Sequence, residues 1–147
     1  RLASPLQEKL SSGAKGLDFG CGHGPVLAAM LQSEGFEVDL YDPFFFPDKK
    51  VLSKKYHFIS CTETVEHFHN PFQEFNTLDS LLEPGGWLGI MTSFLTTDDA
   101  FESWYYRRDP THVTFYSEKT FEVIAKQRNW GYEIKSKDIV LLHKPNG

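Results

Sequence analysis

The residues with the clearest chemical potential are a glycine-rich segment and an acid that follows it. Gly20, Gly22 and Gly24 remove three side chains within five positions, which suits a turn where φ is positive or a ligand approaches the main chain. Asp42 follows about 20 residues later, where nucleotide-binding α/β folds hold ribose hydroxyls. A dinucleotide fingerprint would read G-x-G-x-x-G, but Pro25 stands in place of its third glycine. The segment therefore predicts a nucleoside site and argues against a pyrophosphate cradle.

The elements that must position these residues are a buried strand and a helix. Residues 16–19 have the pattern of a strand that runs into the glycine turn. Pro25 suits the first helical turn, where its missing N–H is not needed. The helix N-terminus then presents free N–H groups to a ligand. The predicted apolar face of this helix consists of Val26, Leu27, Met30 and Leu31.

Strands and helices alternate through most of the chain. Further strands are predicted over residues 36–41, 57–61 and 87–94, a helix over 71–82, a helix over 118–128, and a final hairpin over 132–135 and 139–143. This alternation predicts a doubly wound, mostly parallel, Rossmann-like sheet. Ligands bind such sheets at the carboxyl ends of the strands, where the strand order reverses. Those ends are Gly20, Asp42, Cys61 and Phe94.

Three ordered motifs resemble class I S-adenosylmethionine-dependent methyltransferases. They are Leu-Asp-Phe-Gly-Cys-Gly-His-Gly at residues 17–24, the segment 56–67, and Leu-Glu-Pro-Gly-Gly-Trp-Leu at residues 82–88. The style of the motifs is similar to that of ubiquinone-pathway O-methyltransferases. The resemblance implies S-adenosylmethionine as cofactor, transfer of its methyl group to a small-molecule acceptor, and a C-terminal antiparallel hairpin. Two alternatives stay open: a catalytically silent adenosylmethionine-binding module, and a nucleotide-dependent oxidoreductase.

The chain departs from the family pattern after the second strand. Only residues 43–55 separate that strand from the motif at 56–67, so the strand-three region is shortened. Val51 and Leu52 are the remnant of a third strand in this interpretation. The acid that usually reads the adenine amine has no clear counterpart. Pro43, with three phenylalanines at 44–46, is the predicted substitute, or else those rings anchor a short loop in the core.

The resemblance implies a role for each cofactor-site residue. The methionine carboxylate is bound by the backbone N–H groups of the residues that follow Gly20, which are Cys21, Gly22, His23 and Gly24. Asp18 lies near the cofactor's amine, or is a capping acid. Asp42 accepts both ribose hydroxyls, or is a turn-former before Pro43. Main-chain groups of the last set line the methionine side: Cys61, Thr62 and Glu63.

Candidates for the catalytic groups fall in two segments. His67 follows the strand at 57–61 and is the best base candidate because imidazole has an ordinary pKa near 6.5; alternatively it only pins the loop. A later loop carries Tyr106, Arg107 and His112, which can hold and orient an acceptor or, with Asp109, merely order a lid. Glu66, His67 and His69 lack further ligands at suitable spacing, so no metal site is predicted.

Composition bounds the remaining properties. A chain of 147 residues predicts one domain, residues 1–147. It begins at Arg1 rather than methionine, which leaves open that a missing N-terminal part closes the site. The net charge of -5 and the absence of a basic run predict no nucleic-acid partner. No apolar run is long enough for a membrane span. Cys21 and Cys61 are read as thiols in a reducing compartment, which predicts a cytoplasmic protein.

Overall fold

The protein folds into one six-stranded sheet flanked by helices. The structure, a computed structural model, describes residues 2–92 and 116–147. The strand order is β2-β1-β3-β4-β6-β5. The predicted fold class is confirmed: the strands from β2 to β4 are parallel, and β6 is antiparallel to both of its neighbours. The elements are α1 Ala3–Gln7, β1 Lys15–Phe19, α2 Val26–Ser33, β2 Glu37–Tyr41, β3 Tyr56–Thr62, α3 Pro71–Leu81, β4 Leu82–Met91, α4 Glu118–Arg128, β5 Gly131–Ser136 and β6 Ile139–His143.

The strand register brings the predicted site residues to one edge of the sheet. Phe19 at the end of β1 pairs with Tyr41 at the end of β2. On its other side β1 pairs with β3, where Asp18 lies opposite Ser60. Because β1 has β2 on one side and β3 on the other, the strand order reverses there. The glycine turn after β1 therefore opens into the crevice where doubly wound sheets bind ligands.

The prediction of a remnant third strand is wrong. Val51 and Leu52 lie in a single 3₁₀ turn, Lys49–Ser53, which Asp48 caps by accepting a hydrogen bond from the Lys50 N–H at 3.0 Å. The Tyr56 hydroxyl donates to the carbonyl of Val51 at 2.8 Å, which ties this turn to the start of β3. Two apolar residues flanked by lysines are too short a segment for a strand ladder, so β2 forms the edge of the sheet.

Two apolar clusters cover the two faces of the sheet. In α2 the buried residues are Ala28 and Leu31, whereas Val26 and Met30 are 70% and 47% exposed, so the apolar face predicted for this helix is wrong in part. In α3 the side chain of Asn70 caps the helix, and the helix begins at Pro71, the predicted first residue. The clusters fill both sides of β1 and β3, so the sheet is a rigid support for the loops at its carboxyl edge.

The described C-terminal segment, residues 116–147, contains the well-capped helix α4. The Ser117 and Thr120 side chains each accept a hydrogen bond from the other's backbone N–H, and these bonds form a capping box for α4. The chain then returns through β5 and β6. Strand β4 begins at Leu82, five residues before the predicted start. Its predicted end at Phe94 lies outside the described residues.

Candidate functional site

The glycine turn after β1 is shaped by one close contact and two open positions. Gly20 and Gly22 have φ of 77° and 70°, a region that glycine enters without strain. A Cβ at Gly20 would collide with the side chain of Thr64. A Cβ at Gly22 or Gly24 would meet no atom within 4 Å. Gly22 and Gly24 thus present bare main chain to open space, which is the form of a cradle for a ligand.

Asp42 braces this turn with both carboxylate oxygens. Oδ2 accepts a hydrogen bond from the Gly22 N–H at 2.9 Å, while Oδ1 accepts from the N–H groups of Phe44 and Phe45 at 2.9 and 3.2 Å. The side chain is only 8% exposed. A carboxylate has about four acceptor positions, so about one is left for a ligand. The predicted turn-forming role is present in the structure, and the ribose-binding role stays a prediction.

Two of the four N–H groups predicted to hold the methionine carboxylate already donate hydrogen bonds within the protein. The Cys21 N–H donates to the Tyr41 carbonyl at 3.1 Å, and the Gly22 N–H donates to Asp42. Within the part of the chain that the structure describes, the N–H groups of His23 and Gly24 donate no hydrogen bond to a backbone or side-chain acceptor. Those two groups, just before α2, are therefore the ones available to an anion.

Asp18 is a buried acid between the glycine turn and β3. It is 3% exposed, and its Oδ1 accepts a hydrogen bond from the Ser60 hydroxyl at 3.2 Å. Burial raises the pKa of Asp18 to about 6, although the bond from Ser60 opposes that shift. Ser60 was not among the predicted site residues. Ser60 lies beside Asp18 because of the parallel register of β1 and β3, and a single sequence does not reveal that register.

Neither cysteine has the character of a nucleophile. Burial, together with the charges of Asp18 and Asp42, raises the pKa of the half-buried Cys21 thiol to about 11. Cys61 is fully buried, and burial raises its pKa well above the ordinary value. Both are free thiols. Because the thiolate is the reactive form, these side chains are protonated and inert at neutral pH.

The turn after β3 contacts the glycine turn directly. The Thr64 hydroxyl lies 3.2 Å from the Gly20 carbonyl and 3.0 Å from the Thr62 carbonyl. The hydroxyl oxygen of Thr62 is buried, and no group within residues 2–92 or 116–147 hydrogen-bonds to it. A buried hydroxyl without a partner is unfavourable. The hydroxyl of Thr62 is therefore an unsatisfied buried polar group at the end of β3.

Two carboxyl groups, of Glu63 and Glu66, stand together at this turn. Glu63 has φ of 51°, an uncommon conformation for a residue with a side chain, and its N–H donates to the Met91 carbonyl at 2.7 Å. Burial, the hydrogen bond with Glu66, and the charges of Glu66 and Asp138 raise the pKa of Glu63 to about 7. Glu66 was considered in the sequence only as a metal ligand, and its pairing with Glu63 depends on the turn geometry.

The aromatic loop predicted to wall the adenine slot lies beside the glycine turn. The backbones of Asp42 and Phe46 exchange two hydrogen bonds of 3.0 Å, which closes a tight loop that contains Pro43. Phe44 and Phe45 are 85% and 55% exposed. They are therefore not core anchors. The rings of His23 and Phe45 lie 5.2 Å apart, so an exposed aromatic wall joins the cradle.

The catalytic candidates are divided between described and undescribed residues. His67 ends the 3₁₀ turn Val65–His67 and is exposed. Tyr106, Arg107 and His112 lie outside the described residues. Within the described ranges, no group of three or more His, Cys, Asp or Glu side chains is arranged to hold a metal ion, and no helix is long and apolar enough to cross a membrane.

Comparison with known proteins identifies the family. The family model for the methyltransferase domain matches residues 1–133. The chain belongs to this methyltransferase family. The predicted methyltransferase is thereby confirmed. A search of curated proteins gave no match.

Solved structures of methyltransferases share the fold. The Burkholderia thailandensis 1,6-didemethyltoxoflavin-N1-methyltransferase, solved with 1,6-didemethyltoxoflavin and S-adenosylhomocysteine, has a TM-score of 0.72 at 14% identity over 98% of this chain and 76% of its own. Human N-acetylserotonin methyltransferase, solved with SAM, has a TM-score of 0.68 at 12% identity over 97% of this chain and 51% of its own. An O-methyltransferase family protein of Burkholderia thailandensis has a TM-score of 0.67 at 13% identity over 100% of this chain and 57% of its own.

Proposed function

We propose that this methyltransferase acts on a small-molecule acceptor and holds S-adenosylmethionine at the crevice between β1, β2 and β3. The observation that supports this site most directly is the bare main chain at Gly22 and Gly24, where a Cβ would meet nothing within 4 Å. Bound there, the cofactor supplies a methyl group on a positively charged sulfur. The small-molecule acceptor has a precedent in the toxoflavin N1-methyltransferase. A cytoplasmic location stays a prediction.

The residues of this chain bind and orient the cofactor in this proposal. The N–H groups of His23 and Gly24 bind the methionine carboxylate. The carboxylate of Asp18, once it is ionised, attracts the positively charged amine of the methionine part. Asp42 offers its remaining acceptor position to the ribose. Phe45 and its neighbour His23 provide an apolar wall for the adenine. Alignment of donor and acceptor and exclusion of water supply the catalysis, so no proton-transfer dyad is required.

Two glycines in the same backbone conformation provide a matched test of the site. Gly13 and Gly22 have φ of 76° and 70°, and a Cβ would meet nothing within 4 Å at either position. Gly13→Ala and Gly22→Ala therefore carry the same backbone strain, about 1 to 2 kcal/mol. Only Gly22→Ala would weaken S-adenosylhomocysteine binding, measured by calorimetry.

The same titrations separate this function from its alternatives. Wild-type protein should bind S-adenosylhomocysteine and not NADH, because the glycine spacing lacks the pyrophosphate cradle. Equal losses of affinity in the two glycine variants would contradict the proposed cradle. A methyl-release assay over small acceptors then distinguishes an active enzyme from a silent binding module. Because the motifs resemble those of ubiquinone-pathway O-methyltransferases, acceptors with a hydroxyl group belong in that panel.

A further inference from the structure

The turn after β3 carries an exposed carboxyl with a buried one behind it. Glu63 is exposed, whereas Glu66 is only 5% exposed. The carboxyl group of Glu66 is close enough to raise the pKa of Glu63 through a hydrogen bond and through its charge. The left-handed conformation of Glu63 is held by the short bond from its N–H to Met91 at the end of β4. A strained residue that neighbouring strands hold in place is typical of a functional position.

The buried member of the pair has an unmet need for a hydrogen-bond donor. Oε1 of Glu66 is buried and has no partner in the part of the chain that the structure describes. Neither Glu63 nor Glu66 forms an ion pair with a lysine or arginine of that part. The titratable groups around the pair are Asp138 beside Glu63, and Cys61 and Tyr116 beside Glu66. All of these are acids, so no cation among residues 2–92 and 116–147 offsets the negative charge of the pair.

The pair also lies next to the proposed cofactor crevice. Thr64, between the two glutamates, contacts Gly20 of the glycine turn through its hydroxyl and its methyl group. Thr62, immediately before Glu63, carries the other buried polar atom without a partner. The carboxyl pair is therefore adjacent in the chain to a residue, Thr64, that contacts the glycine turn.

We propose that Glu63 binds and deprotonates an amine acceptor and that Glu66 is the positioning residue behind it. This inference rests on the proposed function and names its substrate class. An ammonium group bound to Glu63 supplies the positive charge that the described residues around the pair do not provide. Charge-assisted hydrogen bonds of this kind are roughly twice as strong as neutral ones.

The electrostatics favour nitrogen over oxygen as the methylated atom. A phenol must become an anion before it attacks, and an anion beside two carboxyl groups is repelled. An ammonium becomes neutral when it loses its proton, and its nitrogen becomes positive again as the methyl group arrives. Carboxylates stabilise that developing positive charge.

The step balances without any further reactant. The Glu63 carboxylate takes one proton from R–NH₃⁺ and leaves R–NH₂ with its lone pair. That lone pair forms the new N–C bond to the methyl carbon while the C–S bond breaks. The electron pair of the broken bond stays on sulfur. The products are R–NH₂⁺–CH₃ and S-adenosylhomocysteine.

Sinefungin tests this proposal without knowledge of the acceptor. In sinefungin a carbon that bears an ammonium group replaces the methylated sulfur of the cofactor, so its charge lies where an acceptor amine would meet the methyl group. We expect wild-type protein at about pH 8 to bind sinefungin about tenfold or more tightly than S-adenosylhomocysteine. The preference should fade as the pH falls and Glu63 becomes protonated.

Three glutamate variants separate the roles. Glu63→Gln should abolish the sinefungin preference and leave S-adenosylhomocysteine affinity within about twofold. Glu66→Gln should shift the loss of preference to lower pH, because Glu63 then loses the neighbour that raises its pKa. Glu74→Gln, on α3, removes the same charge outside the pair and should change neither property.

The outcomes are distinguishable from failure of the proposed function. If S-adenosylhomocysteine binds but sinefungin binds no more tightly, or if Glu63→Gln keeps the preference, the amine site is wrong. Binding of Mg²⁺ to the wild-type protein in calorimetry that Glu63→Gln abolishes would assign the carboxyl pair to a cation instead and overturn the proposal. If neither nucleoside binds, the proposed function fails and the inference fails with it.

Discussion

Asp42 offers the sharpest test of the cofactor site because its carboxylate has two competing tasks. It braces Gly22, Phe44 and Phe45 through three backbone N–H groups, and in the proposal it also receives the ribose. Asp42→Ala would remove both tasks at once and could not separate them. Asp42→Asn keeps an acceptor oxygen for Phe44 and Phe45, and it removes the charge and the second acceptor.

The expected magnitudes follow from those contacts. Asp42→Asn leaves the Gly22 N–H without its acceptor, so the free energy of unfolding should fall by about 1 to 3 kcal/mol. A hydrogen bond from ribose to a carboxylate is worth about 1.5 to 3 kcal/mol. In wild-type protein, S-adenosylhomocysteine that lacks the 2′-hydroxyl should therefore bind about 10- to 100-fold more weakly than the intact ligand. In Asp42→Asn the same deletion should matter only a few-fold.

The assay is a double-mutant cycle between ligand and protein. Calorimetry of both ligands with both proteins gives a coupling energy that cancels the damage to the glycine turn. Thermal unfolding without ligand reports that damage separately. If removal of the hydroxyl weakens binding equally in the two proteins, Asp42 does not hold that hydroxyl and only its bracing role remains.

Three further predictions concern stability. Gly16→Ala should lower the free energy of unfolding by about 1 to 3 kcal/mol in urea titrations, because its Cβ would overlap the buried ring of Phe58; Gly24→Ala, with open space, is the control. Ser117→Ala should lower it by about 1 kcal/mol through loss of the α4 cap. Asp18 has a pKa near 6 in the fold and 3.8 ordinarily, so its contribution to stability is complete below about pH 4 and is lost as the pH rises through about 6. Asp18→Asn should remove that slope and stabilise the protein above pH 7 by up to about 3 kcal/mol; an unchanged slope would contradict the assignment.

The glycine turn and the strands around it were predictable because their signals are local. Positive φ at Gly20 and Gly22 and the buried pattern of β1 follow from residue types within a few positions of each other. The α3 cap at Asn70 and the α4 cap at Ser117 are equally local, since each side chain bonds to a backbone N–H three residues away. Local conformational preferences of this kind survive into the folded chain.

The helix faces were less predictable because they depend on what each helix meets. Helical spacing grouped Val26 with Leu31, yet only Leu31 is buried. In α3, Phe72 stands at helical spacing from the buried Phe75. It is nevertheless 68% exposed and packs against the guanidinium of Arg128. The repeat of apolar residues along the sequence identifies a helix, but the tilt of that helix on the sheet decides which of those residues enter the core.

Residue types at short spacing were enough to predict most of the strands and helices, the glycine turn after β1 and the family. The folded chain was needed to show that Asp42 is already engaged by three N–H groups, that Ser60 reaches Asp18, and that Glu63 lies beside a buried Glu66. The Gly22–Asp42 and Asp18–Ser60 bonds join residues 20 and 42 positions apart, so they depend on strand register and loop closure. Their effects on hydrogen bonding and pKa exist only where burial removes water from around the charges.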